Sequence, residues 1–304
     1  MNTPLIRSKK LSELNHCHIW LKMESAQTTG SFKERSIGHA CKQYAQQGAE
    51  KFISSSGGNA GISVAHIGQQ LNIPVMIVVP KTTSQTAIEI MRQDHAEVIV
   101  HGDSWLEANA LALSYVSPKH VYIHPFDDPY LWEGISDIVT EVIAEGVRPD
   151  AVVLSVGGGS LLSGMVQGLK INNLDIPIYA IETLGTASLN TAMQKKQHIQ
   201  LDEVTGIATT LAAKKVCKRA FDLSQQENII GLTVSDTDAL LACFEFLDDH
   251  KTLVEPACGA GLSVLYQKKI HFMLSSNVLV IVCGGATTTL QSLLNHAKDL
   301  SIVL

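Results

Sequence analysis

Thr29-Gly30-Ser31-Phe32-Lys33 is followed, after room for one helix and one short strand, by Ser54-Ser55-Ser56-Gly57-Gly58-Asn59-Ala60-Gly61. The first stretch sets a lysine between a glycine turn and an amphipathic segment, Glu34 to Gln47, in which Ile37, Ala40, Cys41 and Tyr44 share a face. A lysine is strongly hydrated and seldom buried without a partner, so this placement points to a covalent or anion-binding role. Lys33 is therefore a candidate Schiff-base lysine. The second stretch joins a strand to a helix and offers backbone N–H groups, a hydroxyl and an amide, which together make a carboxylate cradle. Taken alone, Asn59 reads more simply as a helix N-cap.

Around these motifs, short β-branched runs alternate with helical patterns. Lys51 to Ser54, Ile73 to Val79, Glu97 to Val100, Val121 to Ile123, Ala151 to Val156, Ile176 to Ile181 and Val278 to Cys283 read as strands. Glu34 to Gln47, Ile62 to Leu71 and Leu161 to Ile171 read as helices. Strands this apolar belong to sheets covered on both faces, so the pattern predicts an α/β fold with right-handed crossovers. Pro125-Phe126-Asp127-Asp128-Pro129 punctuates the middle and marks a domain boundary. The glycine turns at 57–61 and 157–159 fall in different halves, which places the site in the cleft between domains.

At 304 residues the chain exceeds the usual size of one core, and two domains are expected. A formal charge of −6 and the absence of Lys/Arg runs give no footprint for nucleic acid or anionic lipid, leaving a small molecule as the expected ligand. Cysteines at 17, 41, 217, 243, 258 and 283 form no C-x-x-C pair and read as reduced thiols. The N-terminus lacks an apolar leader and the longest apolar runs are strand-length, so a cytoplasmic protein that spans no membrane is expected.

Two more motifs carry chemistry. Ser155-Val156-Gly157-Gly158-Gly159-Ser160-Leu161-Leu162 follows an apolar strand and opens a helix, where backbone N–H groups meet an anion at the positive helix end. Leu162 stands where the dinucleotide fingerprint needs glycine, and the Gly-Lys-Ser/Thr of a P-loop is absent, so a lone phosphate ester is favoured over a nucleotide. Val278 to Gly285 is a buried strand ending in Cys283, a thiol at the end of the sheet where α/β ligands sit. By itself Cys283 reads as a small buried hydrophobe. A lysine for an aldehyde, a glycine loop for a phosphate and a polar group for a ring nitrogen together describe a pyridoxal phosphate site.

With these residues in place, the chain resembles the fold type II pyridoxal-phosphate enzymes (tryptophan synthase β-like), and within them the serine/threonine dehydratases of the liver type. The resemblance runs nearly end to end. It is carried by Ser31-Phe32-Lys33, Ser55 to Gly61, Pro125 to Pro129, Ser155 to Gly159, Leu253-Val254-Glu255-Pro256-Ala257-Cys258-Gly259-Ala260 and Val282 to Gly285. It implies two open twisted α/β domains with the active site in their cleft: a large cofactor-binding domain from 1–35 and 128–304, and a small one from 36–127. It also implies that Lys33 carries the cofactor as a Schiff base and removes the substrate's α-proton, that Phe32 packs by the ring, and that Asn59 bonds the 3′ oxygen. Gly157, Gly158, Gly159, Ser160 and Leu161 would hold the phosphate and Cys283 would face the pyridine nitrogen. Ser56, Gly57, Asn59 and Ala60 would bind the substrate, with the carboxylate in their cradle. Glu182 and Thr186, with carbonyls near Gly157 and Leu211, would hold a monovalent cation such as K⁺.

The implied reaction is dehydration of L-serine, and of L-threonine, to the 2-oxo acid and ammonia, by a homodimer acting on a small amino acid. Competing readings are a racemase or β-replacement synthase on the same fold, or a cofactor-binding protein without turnover, for which Glu34 and Ser36 are the only hints. Relatives usually carry an apolar residue and glycine at those two positions. Gly57 replaces a small side chain found in many relatives, and its bareness is expected to loosen the cradle. Only residues 284–304 follow Cys283, too few for an appended amino-acid-sensing domain, so feedback control is not expected.

Overall fold

The computed structural model of the chain describes residues 2–303. The chain opens with β1 (Leu5–Arg7), α1 (Lys9–Asn15) and β2 (His18–Lys22). It then runs through α2 (Lys33–Gln46), β3 (Lys51–Ser54), α3 (Asn59–Leu71), β4 (Val75–Val79), α4 (Gln85–Gln93), β5 (Glu97–Val100), α5 (Trp105–Ser114) and β6 (His120–Tyr122). After α6 (Pro129–Ala144) come β7 (Ala151–Ser155), α7 (Ser160–Ile171), β8 (Ile178–Thr183), α8 (Ser188–Lys195), α9 (Lys218–Ser224) and β9 (Ile229–Val234). The chain closes with α10 (Asp236–His250), α11 (Pro256–Tyr266), β10 (Asn277–Ile281) and α12 (Leu290–Asp299).

The strands form two sheets. One has the order β5-β4-β3-β6 and is parallel throughout. The other has the order β1-β2-β10-β7-β8-β9 and is parallel except for β1, which runs against β2. In the second sheet β10 pairs with β2 from Asn277 opposite His18 to Ile281 opposite Lys22, so both ends of the chain share one layer. β4 and β7 are buried along their whole length, as expected of parallel strands covered by helices on both faces. Among the described residues no helix is long and apolar enough to cross a membrane.

β3 and β5 coincide with the runs that read as strands, while the other anticipated strands shift by one or two residues at one or both ends. β1, β2 and β9 lie outside those runs. β1 has only three residues, with its middle and last exposed. β2 ends in a lysine, and β9 is half-buried and interrupted by Gly231.

The Lys22 side chain is fully buried because it joins an ionic network. Its amine meets Glu141 of α6 at 2.7 Å and donates to the Thr3 carbonyl at 2.7 Å. Arg35, two residues after Lys33, grips Glu24 through Nε and Nη2 at 3.0 and 2.8 Å, and Glu141 through Nη1 and Nη2 at 2.6 and 3.0 Å. Bidentate contacts of this kind fix orientation as well as charge. They pin the first turn of α2, and with it Lys33, to the layer formed by the six-stranded sheet and α6. Arg35→Ala leaves the fully buried Glu24 carboxylate without its cation. The expected loss is about 3–5 kcal/mol of stability, read as a lower urea midpoint, and an unchanged midpoint would remove this network from the framework.

Candidate active site

Lys33 is the first residue of α2, and the turn before it is sewn by backbone to the end of β10. Phe32 N donates to Cys283 O at 3.1 Å, Gly285 N donates to Gly30 O at 2.9 Å, and Ser31 bridges Gly284. Glu34 and Ser36, the two departures from the family pattern, reinforce this turn. Glu34 Oε2 accepts from Thr29 N at 2.6 Å, and Ser36 Oγ donates to Lys33 O at 3.1 Å.

The Lys33 side chain keeps partial access to the cleft, while its amine is closely surrounded. Nζ donates to Pro125 O at 2.6 Å and to Ser160 Oγ at 3.3 Å, and lies 4.9 Å from the centre of the Phe32 ring. Desolvation lowers its pKa to about 8, partly offset by Cys217, Cys283 and Glu255. The same amine, after burial, helps to hold His124 down at about 4, so that ring is neutral. His124 Nδ1 accepts from Phe126 N and Asp127 N at 3.2 and 2.8 Å, shaping the loop that supplies the Pro125 carbonyl.

The glycine loop lies directly across from this amine. Gly159 has φ +93°, which a side chain would strain. A Cβ on Gly158 would stand 2.1 Å from the Phe126 ring, and one on Gly157 would stand 2.9 Å from Leu211 Cα, so the loop presents backbone alone. Ser160 is buried with its hydroxyl toward Lys33, and Leu161 sends its side chain into the core, leaving only its N–H for a ligand.

α1, α4, α5, α6, α10 and α12 are each capped by the side chain of Ser, Asp or Thr. α2, α3, α7, α8, α9 and α11 have no side-chain cap bond from their own N-cap residue, and of these α2, α3, α7 and α11 begin around Lys33. At α3 and α7, whose N-caps are glycines, the first N–H groups are open to an anion.

Asn59 is the first helical residue of α3 and not its N-cap, which is Gly58. Its Nδ2 donates to Glu255 Oε1 at 2.9 Å and its Oδ1 accepts from Ala286 N at 2.9 Å, leaving a second N–H. Ala60 is buried behind it, and Ser56 and Gly57 remain half-buried at the rim. The expectation that Gly57 loosens the cradle is corrected by Thr83. Its Oγ1 and Cγ2 sit 2.5 and 2.7 Å from where a Cβ on residue 57 would stand, so a hydroxyl from the loop before α4 fills that space. Cys283 is buried just past the end of β10, and the neighbouring Cys258 thiol, together with burial, pushes its pKa up and keeps it protonated.

Glu182 and Thr186 make their contacts elsewhere. The Glu182 carboxylate accepts from Leu189 N and Asn190 N at 2.8 and 2.7 Å and so caps α8, while Thr186 Oγ1 pairs with Thr183 Oγ1 at 2.8 Å. Burial raises Glu182 to about 7 against those two N–H bonds.

Sequence reasoning missed Glu255. It lies before Pro256, where a capping role is the natural reading, but its carboxyl turns inward to Asn59 and to Thr210, whose Oγ1 donates at 2.7 Å. Burial raises it to about 7, opposed by those two donors and by Lys33.

The residues present fit pyridoxal phosphate. An amine of lowered pKa suits an aldehyde, a backbone-only loop at an uncapped helix suits a phosphate, and a protonated thiol suits a ring nitrogen. The comparisons agree. Residues 1–284 match the model of the family described as "Pyridoxal-phosphate dependent enzyme". The L-serine dehydratase of Dictyostelium discoideum is 43% identical over 96% of this chain and 90% of its own length. The L-serine dehydratase/L-threonine deaminase of Homo sapiens is 42% identical over 96% and 93%. The crystal structure of a fungal L-serine ammonia-lyase from Rhizomucor miehei superposes with a TM-score of 0.93 at 32% identity, covering 98% of both chains. The matched stretch contains Lys33, Asn59, the 157–161 loop, Glu255 and Cys283, and the chain belongs to the pyridoxal-phosphate dependent enzymes.

Proposed function

We propose that this chain is an L-serine dehydratase that also accepts L-threonine, releasing pyruvate or 2-oxobutanoate and ammonia. The observation that carries the proposal is the Lys33 amine, lowered to about 8 and held between the Pro125 carbonyl and the Ser160 hydroxyl at the glycine loop. The names of the relatives, two of them L-serine dehydratases, favour elimination over racemisation or β-replacement.

When bound, pyridoxal phosphate supplies the electron sink for loss of the substrate's α-proton. Lys33 would hold it covalently, Phe32 would pack by its ring, and Asn59 would offer its free N–H to the 3′ oxygen. The backbone of Gly157, Gly158, Gly159 and Leu161 would take the phosphate together with the Ser160 hydroxyl. Cys283, held neutral, would face the ring nitrogen without forcing a full charge on it. The substrate carboxylate would lie against the start of α3, at Ser56, Gly57, Asn59 and Ala60, with Thr83 behind Gly57. Once free, Lys33 Nζ takes the α-proton. Its lowered pKa leaves roughly a tenth of it neutral at pH 7, where an ordinary lysine is almost wholly charged.

The division into 1–35 with 128–304 and 36–127, with the site in the cleft between them, belongs to the same proposal and is supported by the two separate sheets. Homodimeric assembly and a cytoplasmic location are proposed from the resemblance alone. A monovalent cation at Glu182 and Thr186 would have to share a carboxylate already engaged with α8.

Two experiments test this reading. Mixed with L-serine and a coupled lactate dehydrogenase, the cofactor-loaded protein is expected to make pyruvate, and Lys33→Ala to lose that activity by about 10³-fold or more. D-serine or a new C–S bond in place of pyruvate would replace the dehydratase with a racemase or synthase. The second experiment follows absorbance as the apoprotein meets pyridoxal phosphate. Only the neutral amine attacks an aldehyde, so the rate is expected to climb roughly tenfold per pH unit below about 8 and level off above it. A rate still climbing at pH 10 would contradict the lowered pKa of Lys33.

A further inference from the structure

Glu255 makes contacts that the folding of α11 does not require. From the N-cap position it could accept from the first amides of its own helix, and it does not. Only 6% exposed, it gathers two donors on one oxygen: Asn59 Nδ2 from the start of α3, and Thr210 Oγ1 from the segment lying against Gly157. Gly285 closes the other side. A Cβ there would stand 2.5 Å from Glu255 Cβ and 2.9 Å from Oε2, so the turn after Cys283 fits over the carboxyl only as glycine. The neighbouring Ala286 N holds the Asn59 oxygen. The Asn59 amide is therefore gripped at both ends by residues 255 and 286, which approach it from the six-stranded layer.

Resting on the reading that Asn59 contacts the cofactor ring, we propose that Glu255 is the positioning residue for Asn59, fixing its amide so that the remaining N–H faces the ring-binding space. An amide anchored only through its oxygen can still pivot, whereas one anchored at both ends presents its last N–H in a single direction. The titratable groups around Glu255 are Lys33, Cys243 and Cys283, with the Cys258 thiol next to both cysteines. Either protonation state of Glu255 keeps Oε1 as an acceptor, so positioning persists on both sides of neutrality. A glutamine, which retains that acceptor, is expected to serve as well.

The test is the affinity for pyridoxal phosphate, measured by quenching of tryptophan fluorescence in the apoprotein, for wild type, Glu255→Gln, Glu255→Ala, Asn59→Ala and the Glu255→Ala/Asn59→Ala pair. Thermal melting of each apoprotein reports folding. Glu255→Ala is expected to raise Kd about tenfold and Glu255→Gln to stay within about threefold. The double variant is expected to match Asn59→Ala, because the two residues act on one path. Wild-type affinity in Glu255→Ala, or effects that add in full in the double variant, would overturn the proposal. So would a Glu255→Gln that loses as much as Asn59→Ala, and this holds even if the alanine variant does not fold. An Asn59→Ala with unchanged affinity would instead remove the underlying assignment of Asn59, and the Glu255 proposal with it.

Discussion

The structure turns on a backbone seam. The turn Gly30-Ser31-Phe32 is hydrogen-bonded to Cys283-Gly284-Gly285, so the residue that begins α2 is fixed at the end of β10. The seam tolerates no side chain at residue 284. Gly284 has φ +92°, and a Cβ there would lie 2.1 Å from the Gly30 carbonyl oxygen. An α/β protein places ligands beyond the carboxyl ends of its strands. The seam brings Lys33 to that edge, although Lys33 and Cys283 are far apart in the chain. β2 lying beside β10 makes this possible, since it carries the N-terminal segment into the middle of the same sheet.

The two sides of α2 then receive opposite electrostatic treatment. Arg35 faces away from the cleft into a compensated set with Glu24, Glu141 and Lys22, in which each buried charge meets its opposite. Lys33, two residues earlier, meets a carbonyl and a hydroxyl but no carboxylate at bonding distance. Pairing holds the Arg35 guanidinium charged, and desolvation brings the Lys33 amine down to about 8. Strong perturbation without a full partner marks functional groups more often than structural ones. The same contrast applies to carboxyls: Glu141 is held low by Arg35 and Lys22, whereas Glu255, buried beside Asn59, rises to about 7.

The sequence carried the central layers plainly, because apolar runs such as Val75–Val79 and Ala151–Ser155 need no partner to be read as buried strands. It hid whatever depends on a distant partner. β2 ends in Lys22, which reads as an exposed charge until Glu141 is beside it. Asn59 was most simply an N-cap on local grounds, and its real partners lie 196 and 227 residues away. Gly57 looked like an opening because Thr83, which fills the space, belongs to another loop. Glu255 sits before a proline, where capping is the local reading, and only the fold shows its carboxyl turned the other way.

The central claim is that Lys33 is the residue at which this chain binds its cofactor covalently. Borohydride reduction of the cofactor-loaded protein, followed by mass mapping of its peptides, tests that directly. The added pyridoxyl mass is expected on the peptide that contains Lys33. The mass on any other lysine, or on none, would contradict it.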